Sequence, residues 1–298
     1  MPYFIAFSAV TFIFGTVIGS FLNVVIYRTP LKEQVVKGRS HCMFCGHTLA
    51  WYDLFPVLSQ IFLRGKCRYC GAKISPRYAL VELLCGTAFL CAFLALGITL
   101  EFAFALVLFP VLICLSFFDI DSGEIEYWCP LTVAALGLIA LVLSLFGVTG
   151  GSWSEMLIGA VVISVPFAAL SLFGAMGGAD VQLMAAAGLL LGWKIIPAAL
   201  IGIVLGSVFG IVYKIGNKSE NSEEPDLSGE EAAVSEDSPT EEEAAVSEDL
   251  PTEGEAAVSE DLPIKGTVMR FAPFLAVGIA AAYLCGDFMI QWYLGFLS

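Results

Sequence analysis

Gly177-Gly178-Ala179-Asp180 interrupts a long apolar region, with residues 156–176 ahead of it and residues 181–193 behind it. An ionisable group beside such membrane-like sequence is costly in lipid, and it usually faces a protein interior or a water-filled cavity. Glycines allow close backbone approach and dihedral angles that side chains forbid. The stretch therefore predicts a membrane-spanning fold that aims Asp180 at a partner. The alternative is an ordinary loop aspartate at the membrane surface.

The composition excludes a soluble globular domain. The 298 residues are 58% hydrophobic and only 14% charged, and the mean hydropathy is +0.85. Soluble domains carry roughly a quarter charged residues. Nine cysteines do not indicate a disulfide scaffold here, because a free cysteine in an apolar run behaves as a small hydrophobic residue. Five of the nine lie in or beside such runs: Cys85, Cys91, Cys114, Cys129 and Cys285.

The apolar runs predict an all-α polytopic membrane protein with about eight transmembrane helices. The first run is long enough to span and no basic residue precedes it, so we expect a retained helix rather than a cleaved signal. One helix over 181–213 would be roughly 50 Å long, too long for a hydrocarbon core of about 30 Å, and Lys194 and Pro197 indicate a reversal there. The predicted spans are 3–27, 78–97, 100–118, 129–147, 154–176, 181–193, 195–213 and 268–294.

A polar insert, residues 28–77, holds nine of the fourteen Lys and Arg residues. By the positive-inside rule it is cytoplasmic, which places the N-terminus outside. Eight spans then put Asp119 and Asp180 on the same cytoplasmic side. This topology predicts a multi-pass protein of a cytoplasmic membrane, with both acids on the cytoplasmic side, the lipid bilayer as a partner and no nucleic-acid partner.

An acidic repeat follows the seventh span. Ala232-Ala233-Val234-Ser235-Glu236-Asp237 recurs from Ala244 and again from Ala256, and such sequence lacks the apolar surface needed for ordering. The expected division is a first transmembrane helix (1–27), a cytoplasmic cysteine-containing insert (28–77), a membrane core that carries both acids (78–218), a disordered acidic linker (219–264) and a last transmembrane helix (265–298).

Four cysteines in the insert form the first candidate site. Two Cys-x-x-Cys pairs, each followed by glycine, predict a tetrahedral site of the zinc-ribbon type. Four protein ligands leave no open position, so the zinc would be structural. His41 and His47 flank the first pair and are expected to be neighbours rather than ligands. The predicted ligands are Cys42, Cys45, Cys67 and Cys70.

Asp119 and Asp180 form the second candidate site. No Ser-His-Asp or Cys-His set is available, because both histidines lie beside the cysteines. Two carboxylates a few ångströms apart can share one proton and act as an aspartic protease pair. Asp121 has no partner motif and is expected in the adjoining loop. The alternative is that both acids are surface anchors near headgroups.

The sequence resembles the type IV prepilin peptidases over nearly its whole length. The resemblance rests on the stretch from Gly19 to Arg28, on Arg39-Ser40-His41-Cys42, on Trp51-Tyr52-Asp53-Leu54, on the stretch from Leu63 to Arg68, and on Ile74-Ser75-Pro76-Arg77-Tyr78 with Val81-Glu82-Leu83. These are membrane aspartyl proteases of the GxGD type, related in mechanism to presenilin. The resemblance implies that Asp119 and Asp180 are the two catalytic aspartates.

The chain departs from the family pattern in two places. Ala179 replaces the glycine before the second aspartate and Gln182 replaces a lysine after it, while Ile125-Glu126-Tyr127 stands where Leu-Pro-Asp is usual. Alanine resists positive φ, so we expect tighter backbone geometry beside Asp180. The acid itself is kept.

The resemblance also implies the substrates. These are precursors of type IV pilins or pseudopilins, cut at a glycine between a short basic leader and an apolar helix. Many members also methylate the new N-terminus with S-adenosylmethionine, for which the sequence offers no binding motif. A peptidase without methylation is the nearer alternative. A membrane transporter or scaffold is the other, and it predicts inverted repeats and acids at mid-bilayer.

Overall fold

A computed structural model describes residues 2–148, 152–174, 176–220 and 270–297. These residues are almost entirely helical, and no strand longer than a single bridge occurs among them. The expected acidic linker, 219–264, lies almost wholly outside the described residues. The helices are α1 (Pro2–Arg28), α2 (Leu58–Phe62), α3 (Arg77–Leu96), α4 (Leu100–Ser122), α5 (Trp128–Leu145), α6 (Trp153–Leu172), α7 (Gly178–Leu191), α8 (Ile195–Glu220) and α9 (Ala272–Leu297).

Seven helical stretches among the described residues are long and apolar enough to cross a membrane. The chain is thus an all-α multi-pass membrane protein, as predicted. The described residues up to Phe209 and from Arg270 onward form one compact unit. Of the second unit, Gly210–Met269, the structure describes only the last turns of α8.

One of the seven stretches, Gly178–Ile215, contains two helices that run in opposite directions. The first, α7, starts beside the end of α4, where Asp119 lies close to the first residue of α9. Just before the return helix, α8, Lys194 Nζ donates to Asp287 Oδ2 in the second half of α9. Helix α8 then runs back until Gly206 packs on Phe271. The stretch therefore turns back on itself, as predicted, although by length and hydropathy it counts as one of the seven candidate spans rather than two of the predicted eight.

The reversal occurs at Gly192, not at the predicted Lys194 and Pro197. Gly192 has φ +58°, a left-handed conformation that glycine adopts without steric cost. Pro197 lies in the first turn of α8, where its missing N–H breaks no helical hydrogen bond. The proline is thus part of a helix start rather than of the turn.

Small residues bring the helices of the bundle into close contact. A Cβ on Gly19 would lie 2.7 Å from Glu82 Cα, so α1 and α3 meet backbone to backbone there. Asn23 Nδ2 donates to the Tyr78 carbonyl at 3.0 Å across the same pair. Such contacts are typical of helix association in lipid. The central helix is α4: 61% of its apolar stretch is buried, against 22–39% in the other spans.

Candidate active site and metal site

Asp119 lies in the last turn of α4, where only 7% of the residue is exposed. Its Oδ2 accepts a hydrogen bond of 3.2 Å from the backbone N–H of Ala272, the first residue of α9. The charge of Arg270 also acts on this carboxylate. Neither neighbour could be identified from the sequence, because both are more than 150 residues away along the chain and have no motif.

Asp180 is the third residue of α7 and is equally buried, with 7% exposed. The Gly177 backbone N–H interacts with its carboxylate. The other oxygen, Oδ1, is buried and has no hydrogen-bond partner among the described residues. A buried carboxylate oxygen without a partner is costly and is available to a water molecule or a substrate.

The fold brings these two acids together although they are 61 positions apart in the sequence. Asp119 and Asp180 lie close enough for their charges to repel, at the end of the bundle where α4 ends and α7 and α9 begin. We call this the Asp119 end. Two buried carboxylates whose charges repel favour a state in which only one of them is ionised, which leaves one as an acid and the other as a base.

The glycines before Asp180 do not adopt the special backbone angles that the sequence suggested. Gly177 has φ −70°, Gly178 is helical, and Ala179 is absent from the positive-φ residues of the described chain. The left-handed residue of this connection is Gly174, with φ +71°. Because residue 179 has ordinary helical geometry, the expectation that alanine would tighten the backbone there was wrong.

Asp121 belongs to α4 and does not lie in a loop. Its carboxylate pairs with the guanidinium of Arg77, the first residue of α3. The same guanidinium lies 4.9 Å from the centre of the Phe117 ring. Asp121 therefore has a partner, and that partner links the end of the insert to the helix that carries Asp119.

The four predicted cysteines meet in the insert. Their Sγ atoms all lie within 4.8 Å of one another, and those of Cys42 and Cys70 are 3.8 Å apart. Burial raises the pKa of Cys42, but hydrogen bonds from the backbone of Cys45 and Phe44 and from neighbouring thiols lower it to about 7. Because thiolates bind metal, this donor set suits a soft or borderline divalent ion such as Zn²⁺.

The two cysteine pairs have the same local structure. Cys42 N–H donates to the His47 carbonyl, and Cys67 N–H donates to that of Ala72. Gly46 and Gly71 follow with φ +65° and +75°. His41 and His47 lie outside the cluster of possible ligands, and the His47 ring packs on Tyr69 at 3.7 Å.

Asp53 holds the two halves of the insert together, a role that the sequence analysis missed. Arg68 Nε donates to its Oδ1 at 2.7 Å, and Tyr69 Oη donates to Oδ2 at 3.1 Å. Arg68 and Tyr69 are the residues between the second pair of cysteines. Burial raises the pKa of Asp53, but these hydrogen bonds and the Arg68 charge outweigh that effect and lower it. Its place in the stretch from Trp51 to Leu54, which resembles a family motif, was the one available signal.

Comparisons with known proteins cover both sites. Residues 13–96 match the family described as the bacterial Peptidase A24 N-terminal domain, and residues 106–215 match the type IV leader peptidase family. No solved structure matches.

Similar proteins named prepilin leader peptidase/N-methyltransferase occur in several bacteria. That of Myxococcus xanthus is 37% identical over 73% of this chain and 68% of its own length. The Bacillus subtilis protein is 33% identical over 68% of this chain and 81% of its own. The Legionella pneumophila protein is 27% identical over 95% of this chain and 93% of its own. The matched regions include both acids and all four insert cysteines, and this chain belongs to the type IV leader peptidase family.

Proposed function

We propose that the protein is an intramembrane aspartic endopeptidase that removes the basic leader of type IV prepilins or pseudopilins after a glycine. The observation that carries this proposal is the pair of buried carboxylates at one end of the bundle, Asp119 and Asp180. The family and the printed names of the relatives support the same substrate class.

The reaction requires one proton between the two acids. The ionised carboxylate takes a proton from water as the water oxygen attacks the peptide carbonyl carbon. The protonated carboxyl polarises the carbonyl oxygen, and the C–N bond then breaks as the leaving amine takes up a proton. We assign to Asp180 Oδ1, which has no hydrogen-bond partner among the described residues, the role of accepting a hydrogen bond from the water.

The topology fits such a substrate. The basic insert supports a cytoplasmic position for the Asp119 end and an outside N-terminus in the bacterial cytoplasmic membrane. A prepilin helix lying in the bilayer, with its basic leader in the cytoplasm, would then present its cleavage bond at the depth of the acids. Both acids lie within the terminal turns of their helices, which argues against a transporter with acids at mid-bilayer.

The proposal includes two further groups. Cys42, Cys45, Cys67 and Cys70 would hold one structural Zn²⁺, which stabilises the fold of an insert too small to build its own core. S-adenosylmethionine would supply the methyl group for the new N-terminus, a step supported by the names of the relatives. No residue of this chain is assigned to it.

Replacing each acid tests the catalytic pair. Asp119→Asn keeps an oxygen that can accept the Ala272 hydrogen bond, and Asp180→Asn is nearly isosteric, so both variants should fold. Each should lower the cleavage rate by about 10²–10⁴-fold, the usual contribution of general acid–base groups.

The matched control is Asp121→Asn, which removes a carboxylate from the same turn of α4 without touching the pair. Mass spectrometry of a co-expressed prepilin reads cleavage and methylation together. A product that is cleaved but not methylated would indicate the peptidase-only alternative. An inactive Asp121→Asn beside an active Asp119→Asn would show that the first acid is misassigned. Elemental analysis of cleavage-competent protein should find zinc, and its absence would remove the zinc assignment.

A further inference from the structure

The short helix α2 presents its apolar face outward. Leu58, Ile61 and Phe62 are 46%, 64% and 79% exposed, and their spacing places them on one side of a helix. The polar side faces the insert, since Gln60 Nε2 donates to the Ser75 carbonyl at 2.7 Å. A helix that packs on a protein core has the opposite orientation, with its apolar side facing the protein and its polar side facing outward.

The start of α2 is fixed at the level of a membrane-spanning helix. The backbone N–H of Val57 donates to Glu82 Oε2 at 2.7 Å, and Glu82 is buried. Glu82 lies five residues into α3, about 7.5 Å along its axis from Arg77. The headgroup layer on each side of a bilayer is about 5–8 Å thick. The apolar face of α2 therefore lies at the depth of the membrane interface.

The residues around α2 are of the types found at that depth. Trp51 is 75% exposed, and Phe55 is also exposed. Tryptophan is enriched at membrane interfaces because its ring is apolar and its N–H is polar. Arg64 and Lys66 follow α2 and are both exposed. Residues 28–77 contain nine Lys or Arg and only two acids, Glu33 and Asp53, a difference of seven positive charges.

We propose that α2, together with Trp51 and Phe55, lies in the headgroup layer of the bilayer that the protein spans, and that it holds the cysteine insert against anionic lipid. Apolar residues that enter the acyl boundary beside basic residues that meet anionic headgroups make up the usual interfacial helix. Lipid fits this face better than a partner protein does, because the Val57–Glu82 hydrogen bond already fixes its depth.

The test uses the full chain in bilayers of phosphatidylcholine and phosphatidylglycerol, with and without brominated acyl chains. Phe62→Trp and Phe44→Trp are each made in a Trp51→Phe background, and the background emission is subtracted. Both positions are exposed aromatics of the insert, but Phe44 lies in the first cysteine pair and not in α2. Bromine should quench the tryptophan at 62 several-fold more than the one at 44.

Each other outcome contradicts the proposal. A tryptophan at 62 that bromine does not quench would show that α2 does not contact lipid. Equal quenching at positions 62 and 44 would show that the lipid contact is not specific to α2. A tryptophan at 62 that bromine does not quench, and whose emission changes only after a prepilin is added, would identify a substrate-docking face instead.

A second readout does not depend on the introduced tryptophan. Ile61→Asp should speed trypsin cleavage after Arg64 several-fold in the same bilayers, because a carboxylate at the interface releases α2. The matched variant Phe44→Asp should leave that rate unchanged. An unchanged rate in Ile61→Asp would overturn the anchor. Neither measurement depends on peptidase activity, so the result is independent of the proposed function.

Discussion

The contact between α6 and α7 should control the position of Asp180, and Gly188→Ala perturbs it directly. A Cβ at position 188 would lie 2.9 Å from both Ala160 Cα and Ile163 Cγ2, and 3.0 Å from the Gly159 carbonyl oxygen. Carbon atoms prefer about 3.5–4.0 Å. Two of these obstacles are backbone atoms, so the helices must separate by roughly 0.5–1 Å to restore that distance.

Such overpacking costs about 1–3 kcal/mol, and the better helix propensity of alanine returns at most about 1 kcal/mol. After the full propensity gain is subtracted, the net loss of stability should be about 0–2 kcal/mol. The effect on activity should be larger. Asp180 lies eight residues before Gly188 on the same helix, about 12 Å away, and a displacement of 1 Å at a catalytic group can cost about 10²-fold.

Two other glycines provide a graded control. A Cβ on Gly137 of α5 would lie 3.2–3.3 Å from atoms of the Leu189 side chain, which can move aside. A Cβ on Gly178 would have nothing within 4 Å. The destabilisation should therefore rank Gly188→Ala above Gly137→Ala, with Gly178→Ala closest to the wild type.

The assays are thermal unfolding in lipid nanodiscs and the initial rate of prepilin cleavage. Wild-type activity in Gly188→Ala, or greater destabilisation in Gly178→Ala, would refute the claim that close α6–α7 packing positions the acid.

Three further results are expected. Ala179→Gly should not raise the cleavage rate, since residue 179 is helical and needs no positive φ; a large gain in steady-state kinetics would contradict this. Asp53→Asn should weaken metal binding by about 10–100-fold in chelator competition, as loss of groups that orient ligands usually does. Because folding lowers the pKa of Asp53, its stabilisation is complete above about pH 4 and is lost as the pH falls further. Below about pH 4, the difference in the free energy of unfolding between Asp53→Asn and the wild type should therefore shrink. A difference that persisted would rule out the Arg68 ion pair as its source. Deleting 219–264 should leave cleavage largely intact in the co-expression assay, and loss of activity would assign the acidic repeat a role.

The spans and both clusters of side chains could be predicted because each has a local signal. The length of an apolar run and the spacing of paired cysteines can both be read directly from the sequence. The break between α7 and α8 was predicted from the length of the apolar region, but its position was not. Lysine and proline were the visible signals at 194 and 197, whereas the reversal depends on the left-handed backbone of Gly192. Any of several glycines could have adopted that conformation.

Contacts between distant parts of the chain could not be predicted. Val57 bonds to Glu82 and Asp53 bonds to Arg68, and in each case only tertiary structure shows which partner is chosen. Asp121 illustrates the same limit. The sequence offered no partner for it, and the structure supplies Arg77 from 44 residues upstream. Each of these polar contacts links the insert to itself or links the start of α3 to another element, where helical periodicity carries no information.

The arrangement of helix ends explains why the acid pair needs the last helix of the chain. Asp119 lies near the C-terminal end of α4, where the partial negative charge of the helix disfavours a carboxylate. The N-terminus of α9 offsets this, because the Ala272 N–H is one of the first donors of that helix, which have no partner within it, and it bonds to Asp119. Asp180 is in the first turn of its own helix and needs no such help. Two helix N-termini thus converge on two carboxylates that repel each other. The C-terminal helix, which has no catalytic motif, contributes to the site through its backbone.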